Sequence, residues 1–179
     1  MVEANLDVAL IGVGDDVLEG LRQVATTDAS ADEVTPPLTA GTAWTPIRIA
    51  WLRDFHRDRR GGLDGSAREA TWAITVERQV VGSVRLQRTD QPDLLETGVW
   101  LACRARGRGI ARAAMAAALN EAAEVGATAV RAETTRGNAA ALAVLEGLGF
   151  DLPAAPDGKA VHARVVLRPQ RPTLATEDR

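Results

Sequence analysis

From Leu94 to Gly126 the chain runs through three patterns in succession. An alternating apolar stretch, LLETGVWLA at 94–102, predicts a strand. The octapeptide Arg104-Ala105-Arg106-Gly107-Arg108-Gly109-Ile110-Ala111 follows it, and an alanine-rich segment from Gly107 to Val125, closed by Gly126, predicts a long helix. The two glycines therefore fall in a strand-to-helix turn. Glycine there lets the backbone approach a ligand closely and point successive N–H groups into one concavity. The helix adds the partial positive charge of its N-terminus, and Arg104, Arg106 and Arg108 add cations around the same mouth. Such a place suits a phosphate or pyrophosphate; the plainer alternative is a tightly packed, arginine-rich turn. Two nucleotide motifs are excluded. A dinucleotide fingerprint needs a third glycine where this chain has Arg112, and the Gly-Lys-Ser/Thr of a P-loop is absent. Gly12-Val13-Gly14 fails at Val17 in the same way.

Around this core the chain reads as alternating elements. Residues 5–14 predict a strand, and Asp15 and Asp16 open a helix with Val17, Leu18, Leu21 and Val24 on its apolar stripe. Residues 26–43 read as a loop. Thr45 as N-cap and Pro46 in the first turn open a second helix, whose apolar face is taken by Ile47, Ile49, Ala50, Trp51 and Phe55. Strands are expected at 69–76 and 80–88, joined across Glu77-Arg78-Gln79, then at 128–134, at Phe150 and at 161–168, with a helix from Asn138 to Leu148. Antiparallel runs followed by a βαβ unit imply an α/β (α+β) domain, a mixed sheet of about seven strands covered by about four helices. The expected domain spans residues 1–168, with a disordered tail at 169–179.

Composition narrows the function classes. The formal net charge of -3 argues against a nucleic-acid partner, which needs a surplus of cations. One cysteine rules out a disulfide framework and a multi-cysteine zinc site, so no metal is expected. No apolar stretch reaches the roughly 20 residues of a membrane span, and the acidic start is unlike a signal peptide. A soluble, cytoplasmic chain with no membrane partner is the expectation. Lys159 is the sole lysine and tyrosine is absent, so lysine nucleophiles and tyrosine acids have almost no candidates.

A second block lies downstream: Glu133-Thr134-Thr135-Arg136-Gly137-Asn138, then Ala139 through Phe150. Together with the octapeptide it resembles the GCN5-related N-acetyltransferases. The family's acetyl-CoA signature, Gln/Arg-x-x-Gly-x-Gly/Ala, is met by Arg104, Gly107 and Gly109. The downstream block is similar to the family's Asn-led helix ending in Gly-Phe. Glu96-Thr97-Gly98-Val99-Trp100-Leu101 resembles the preceding strand of the RimJ/RimL-like branch. The resemblance spans about residues 5–168 and is strongest over 96–150.

The resemblance implies a sheet splayed after the third meander strand, with acetyl-CoA as co-substrate in the gap. Leu101, Ala102 and Cys103 would pair with the pantetheine as an added strand. Amides from Arg104 to Ala111, Ile110 included, would hold the pyrophosphate. Asn138 would meet the pantetheine arm, and Ala141, Leu142 and Leu145 would line the gap near the thioester. Acetyl would pass directly to a primary amine on a small molecule, antibiotic or protein N-terminus, within a ternary complex. Dimers are common in such a family.

An alkylamine is mostly protonated at neutral pH, so its proton must go somewhere. Glu96 is the first candidate for that catalytic base; the alternative is a structural ion-pair partner. Glu133, Asp54 and His56 follow, with His56 read as solvated within its run of charges and His162 as a half-buried strand residue. A backbone N–H near Cys103 would meet the oxyanion, and Cys103 itself reads as a small apolar strand-end residue. Two departures stand out. Leu145 occupies a position where family members often carry tyrosine, and Ala141 one where this branch often carries serine. Water, Thr134 or Thr135 could take over as acid. The departures also leave room for an acyl-CoA-binding module without turnover.

Overall fold

Capping residues and turn chemistry set the element boundaries. The computed structural model describes residues 7–154 and 160–167. Its elements are β1 (Val8–Gly12), α1 (Asp15–Asp28), α2 (Ala31–Val34), α3 (Pro46–Asp58), β2 (Glu69–Val76), β3 (Gln79–Arg88), β4 (Leu94–Leu101), α4 (Ile110–Glu124), β5 (Ala129–Thr135), α5 (Ala139–Gly147) and β6 (Ala160–Val166). Thr45 caps α3 by accepting the amide of Arg48 at 3.4 Å, with Pro46 in its first turn. Gly126, at φ 82°, turns the chain out of α4.

The six strands lie side by side in chain order. Every neighbouring pair is antiparallel except β4 and β5, which need the α4 crossover to run in parallel. Glu77 and Arg78, both at positive φ, make the tight turn that matches the twist of β2 and β3. On one face of the sheet Ala114, Ala118 and Ala122 form a single row of α4, all fully buried. Their small side chains bring α4 close to the sheet, where Val84, Leu86, Leu95 and Val130 complete the main core. Leu18 and Leu21 of α1 pack with Val13 and Ala73 in a smaller core.

Several expectations are corrected. Among the described residues the sheet has six strands rather than about seven, because Phe150 is a buried core residue and only Asp151 bridges to Arg164. The loop expected at 26–43 holds the end of α1 and the short helix α2. The helix expected from Gly107 starts at Ile110, since Gly107 and Gly109 both take left-handed φ. The face of α3 is also different. Arg48, Leu52 and His56 form its buried row, while Ile47 is 61% exposed. Arg48 is tolerated inside because it donates to the carbonyls of Thr39 and Gly41 and to the hydroxyls of Thr35 and Thr39, and pairs with Asp32 at 2.7 Å. The tail at 169–179 and residues 155–159 lie outside the described residues.

Candidate active site

β4 and β5 pair only from Leu94↔Ala129 to Thr97↔Ala132. Beyond that point Gly98–Leu101 keep partners on β3 alone, and Glu133–Thr135 keep partners on β6 alone. The sheet therefore splits, and one edge of β4 presents backbone N–H and C=O groups with no strand opposite. Such groups seek partners. A cavity of about 620 Å³ fills the gap, lined by β4 from Thr97 to Leu101, the Arg106–Gly109 turn, the first turns of α4, Ala132–Thr134 of β5 and α5.

The turn exposes backbone amides and a helix N-terminus. Gly107 and Gly109 sit at φ 71° and 78°, a conformation that costs an ordinary residue about 1–2 kcal/mol. A Cβ on either would meet no atom within 4 Å, so both glycines present open backbone. Gly109 supplies no side-chain cap to α4, and the first turn carries no acidic residue. The helix N-terminus therefore keeps its positive end unneutralised. Asn138 caps α5 by accepting the amide of Ala141 at 3.1 Å and lines the cavity as well. These features fit a pyrophosphate at the turn and an extended pantetheine along β4.

Of the residues singled out in the sequence, Leu101, Arg106, Gly107, Gly109, Ile110, Ala111, Asn138, Ala141 and Leu145 line this cleft. Ala102, Cys103, Arg104, Arg108, Leu142 and Glu96 do not. Arg104 instead pairs with Asp28 at 3.1 Å. The Arg-x-x-Gly-x-Ala pattern is met again two residues on by Arg106, Gly109 and Ala111, which all line the cleft. Cys103 is exposed in a one-turn helix beyond β4 rather than an apolar strand end. The β4 residues with no β5 strand opposite are Gly98–Leu101. No hydroxyl stands at Ala141 or Leu145, and of the two threonines only Thr134 reaches the cleft.

A second cavity, of about 420 Å³, lies between α3 and the sheet. It shares Glu33, Gly98, Val99 and Trp100 with the first, so the two meet at the split of the sheet. Trp51 and Phe55 on one face of α3 and Arg59 at its C-cap form its wall, with Phe55 stacked on Trp51 at 4.7 Å and the Arg59 guanidinium 3.7 Å from the Phe55 ring centroid. Glu69, Arg85 and Gln87 line it from the strands. A Cβ at Gly98 would lie 2.9 Å from Arg85 Nε, so a larger residue there would displace the Arg85 side chain.

Glu96 sits behind this cavity as an ion-pair partner. Its Oε1 accepts from Arg85 Nη2 at 2.8 Å and its Oε2 from Arg131 Nε at 3.0 Å. Burial pushes its carboxyl up, but the two guanidiniums outweigh that and hold it below the usual carboxylate range. With both oxygens occupied and neither cavity lined by it, Glu96 has the surroundings of a clamp rather than of a base.

His56 reverses its sequence reading. It is 1% exposed, lines the second cavity and hydrogen-bonds Thr71 Oγ1 through Nδ1 at 3.0 Å. Burial, aided by the nearby Arg59 charge, pushes its pKa down to about 4, which leaves the ring neutral. His162 is exposed on β6, 3.5 Å from Glu133. Glu133 lines the first cavity, and Asp54 is exposed on α3. Glu33, which the sequence offers with Asp28 and Asp32 as part of an acidic loop that could attract a cationic amine, lines both cavities, while Arg59 and Arg85 of the second cavity carry no sequence signal. The Ser-x-x-Glu spacing of Ser30–Glu33 makes a capping box that fixes α2 beside the turn, where Glu33 takes both guanidinium nitrogens of Arg106 at 2.8 and 3.0 Å.

Comparison with known proteins agrees with this geometry. The acetyltransferase (GNAT) domain family matches residues 15–151. No curated protein sequence matches. Among solved structures, the RimL ribosomal L7/L12 alpha-N-protein acetyltransferase in complex with coenzyme A is similar at 14% identity and a TM-score of 0.71, over 92% of this chain and 96% of that one. The ribosomal-protein-S18-alanine N-acetyltransferase from Escherichia coli is similar at 15% identity and 0.61, over 94% and 99%. A spermidine N-acetyltransferase chimera from Vibrio cholerae is similar at 14% identity and 0.65, over 89% and 95%. These likenesses are of fold, while the domain match covers the split strands, the glycine turn and the Asn138 helix together; the chain belongs to the GNAT family of acetyltransferases, enzymes that use acetyl-CoA.

Proposed function

We propose that the chain transfers acetyl from acetyl-CoA directly to a primary amine, with the donor along β4 in the larger cavity and the acceptor in the smaller one. The observation that carries this reading is the meeting of the two cavities at Gly98–Trp100, where the sheet splits. The turn from Arg106 to Ala111 holds the pyrophosphate through backbone amides and the α4 N-terminus. Asn138 and the free edge of β4 hold the pantetheine, and an amide of that edge meets the oxyanion.

The amine lone pair forms the new C–N bond at the thioester carbonyl, and the C–S bond breaks with its electrons on sulfur. A thiol of pKa about 8.5 is an adequate leaving group, and Thr134 donates a hydrogen bond to it. The amine proton leaves through water. Arg59 and Arg85 beside the acceptor favour the neutral amine, since nearby positive charge depresses its pKa. Glu96 acts as a positioning residue that holds Arg85 and Arg131.

The test is thiol release from acetyl-CoA across a panel of primary amines, with initial rates at varied concentrations of both substrates. Intersecting double-reciprocal lines are expected for direct transfer, with Cys103→Ala as active as the wild type. Parallel lines, or loss of activity in Cys103→Ala, would replace direct transfer with an acyl-enzyme.

A further inference from the structure

The acceptor cavity is lined by two guanidiniums, Arg59 and Arg85, and two carboxylates, Glu69 and Glu33, and neither carboxylate is to spare. Glu69, 2% exposed, is held by Arg59 Nε and by Arg85 Nη1 at 3.2 Å. Arg85 in turn holds Glu96, and Glu96 holds Arg131. This run of five charges alternates and contains three guanidiniums to two carboxylates. Glu33, the other lining carboxylate, is taken up by Arg106. A second ammonium on the acceptor would find no free anion here.

Hydrogen-bonding capacity in the cavity points the same way. His56 Nε2 is, among the described residues, the one buried side-chain nitrogen or oxygen without a hydrogen-bond partner. A buried polar atom left so costs about 1–3 kcal/mol and calls for an explanation. When the Thr71 hydroxyl donates to Nδ1, the ring proton sits on Nε2, which makes that atom a donor. Arg59, three residues on at the α3 C-cap, spends Nε on Glu69 and Nη1 on the Phe55 carbonyl. Neither of those bonds uses Nη2.

We propose that this cavity selects an amine that carries a carboxylate at its other end, received by His56 Nε2 and the Arg59 guanidinium against the Trp51–Phe55 wall. The inference rests on the acetyl-transfer reading for its turnover assay but not for its binding assay. A carboxylate accepts from both donors at once and satisfies the orphaned nitrogen. A diamine or polyamine does neither, and a neutral amide lacks the charge.

The test uses the full chain and amino acids of two to six carbons, each beside its amide and the diamine of equal length. For the best chain length, the carboxylate is expected to exceed amide and diamine in kcat/KM by about tenfold. That ratio should collapse in His56→Phe. Should that variant not fold, Arg59→Lys, which keeps the charge but not the fork, should lower it too. Equal or better turnover of the diamine, or a preference that survives in these variants, would overturn the proposal. The chain has two histidines, so imidazole NMR reads binding separately from turnover. A His56 ring shift with the amino acid and none with the diamine supports the proposal even if thiol release fails with every amine, a result that would sink the transfer reading alone. An unmoved His56 signal at saturating amino acid would overturn it.

Discussion

Glu96 Oε2 accepts from Arg131 Nε at 3.0 Å and Nη2 at 2.9 Å, one register pair before β4 and β5 part. The pair pins the two strands at the root of the cleft, and Arg85 extends the pin to β3. Glu96→Gln loses the charge and part of this hold. Stability should fall by about 1–2 kcal/mol, and kcat by a few-fold with little change in acetyl-CoA affinity. The rise of rate with pH should keep its shape, because it reports deprotonation of the amine. An acid-side inflection present in the wild type and lost in the variant would make Glu96 the base. The pin also weakens in acid: with its carboxyl depressed in the folded state, Glu96 contributes fully above the ordinary carboxylate value and loses that contribution as pH falls through the folded one.

His56 gives stability an acid slope in a higher range. The folded ring titrates near pH 4 and the unfolded one near 6.5. Between these values the unfolded chain binds the proton first, so stability is full above pH 6.5 and declines below it. Unfolding in urea should show a loss of about 2 kcal/mol between pH 7 and pH 5. His56→Gln should flatten the slope over that interval. A slope unchanged in the variant would mean that other groups produce it.

Gly82 carries the close approach of β3 to the end of β4. A Cβ there would collide with the Trp100 carbonyl oxygen and lie 2.8 Å from Leu101 Cδ2. Gly82→Ala should cost about 1–3 kcal/mol, with a fall in Tm of several degrees. It should also weaken acetyl-CoA binding, since Trp100 and Leu101 both line the larger cavity. Thermal scans with and without acetyl-CoA separate the two effects.

Thr134 is the hydroxyl left to serve as donor where Ala141 and Leu145 offer none, since Thr97, the other lining threonine, donates to the Arg85 carbonyl. Thr134→Val keeps the shape and removes the donor. Because a thiol already leaves readily, kcat should fall by no more than about tenfold, with acetyl-CoA affinity retained. Thr135→Val, outside the cleft, should behave as wild type. The reverse ranking in a thiol-release assay would assign the role to the other threonine.

What the sequence made legible was what local pattern controls. Strand alternation, the Thr45-Pro46 cap, the Asn138 cap and Gly126 each act within a few residues, and the structure has them where the pattern put them. The α3 face was lost because its row runs Arg48, Leu52, His56, two polar residues and one apolar. Their burial depends on Thr35, Thr39, Gly41 and Thr71, remote partners that no helical period reveals. Glu96 shows the same limit, since a carboxylate on a strand reads alike whether it faces a substrate or two arginines. Phe150 read as a strand from its apolarity, whereas Gly149 turns the chain so that the ring enters the core.

The most direct measurement is the backbone amide NMR spectrum of the chain titrated with acetyl-CoA. Shifts concentrated at Gly98–Leu101, Gly107–Ala111 and Asn138, with β1 and the β2–β3 turn left in place, are the expected result. An unchanged spectrum at saturating acetyl-CoA, or shifts confined to residues away from the β4–β5 split, would contradict the assignment of the cleft.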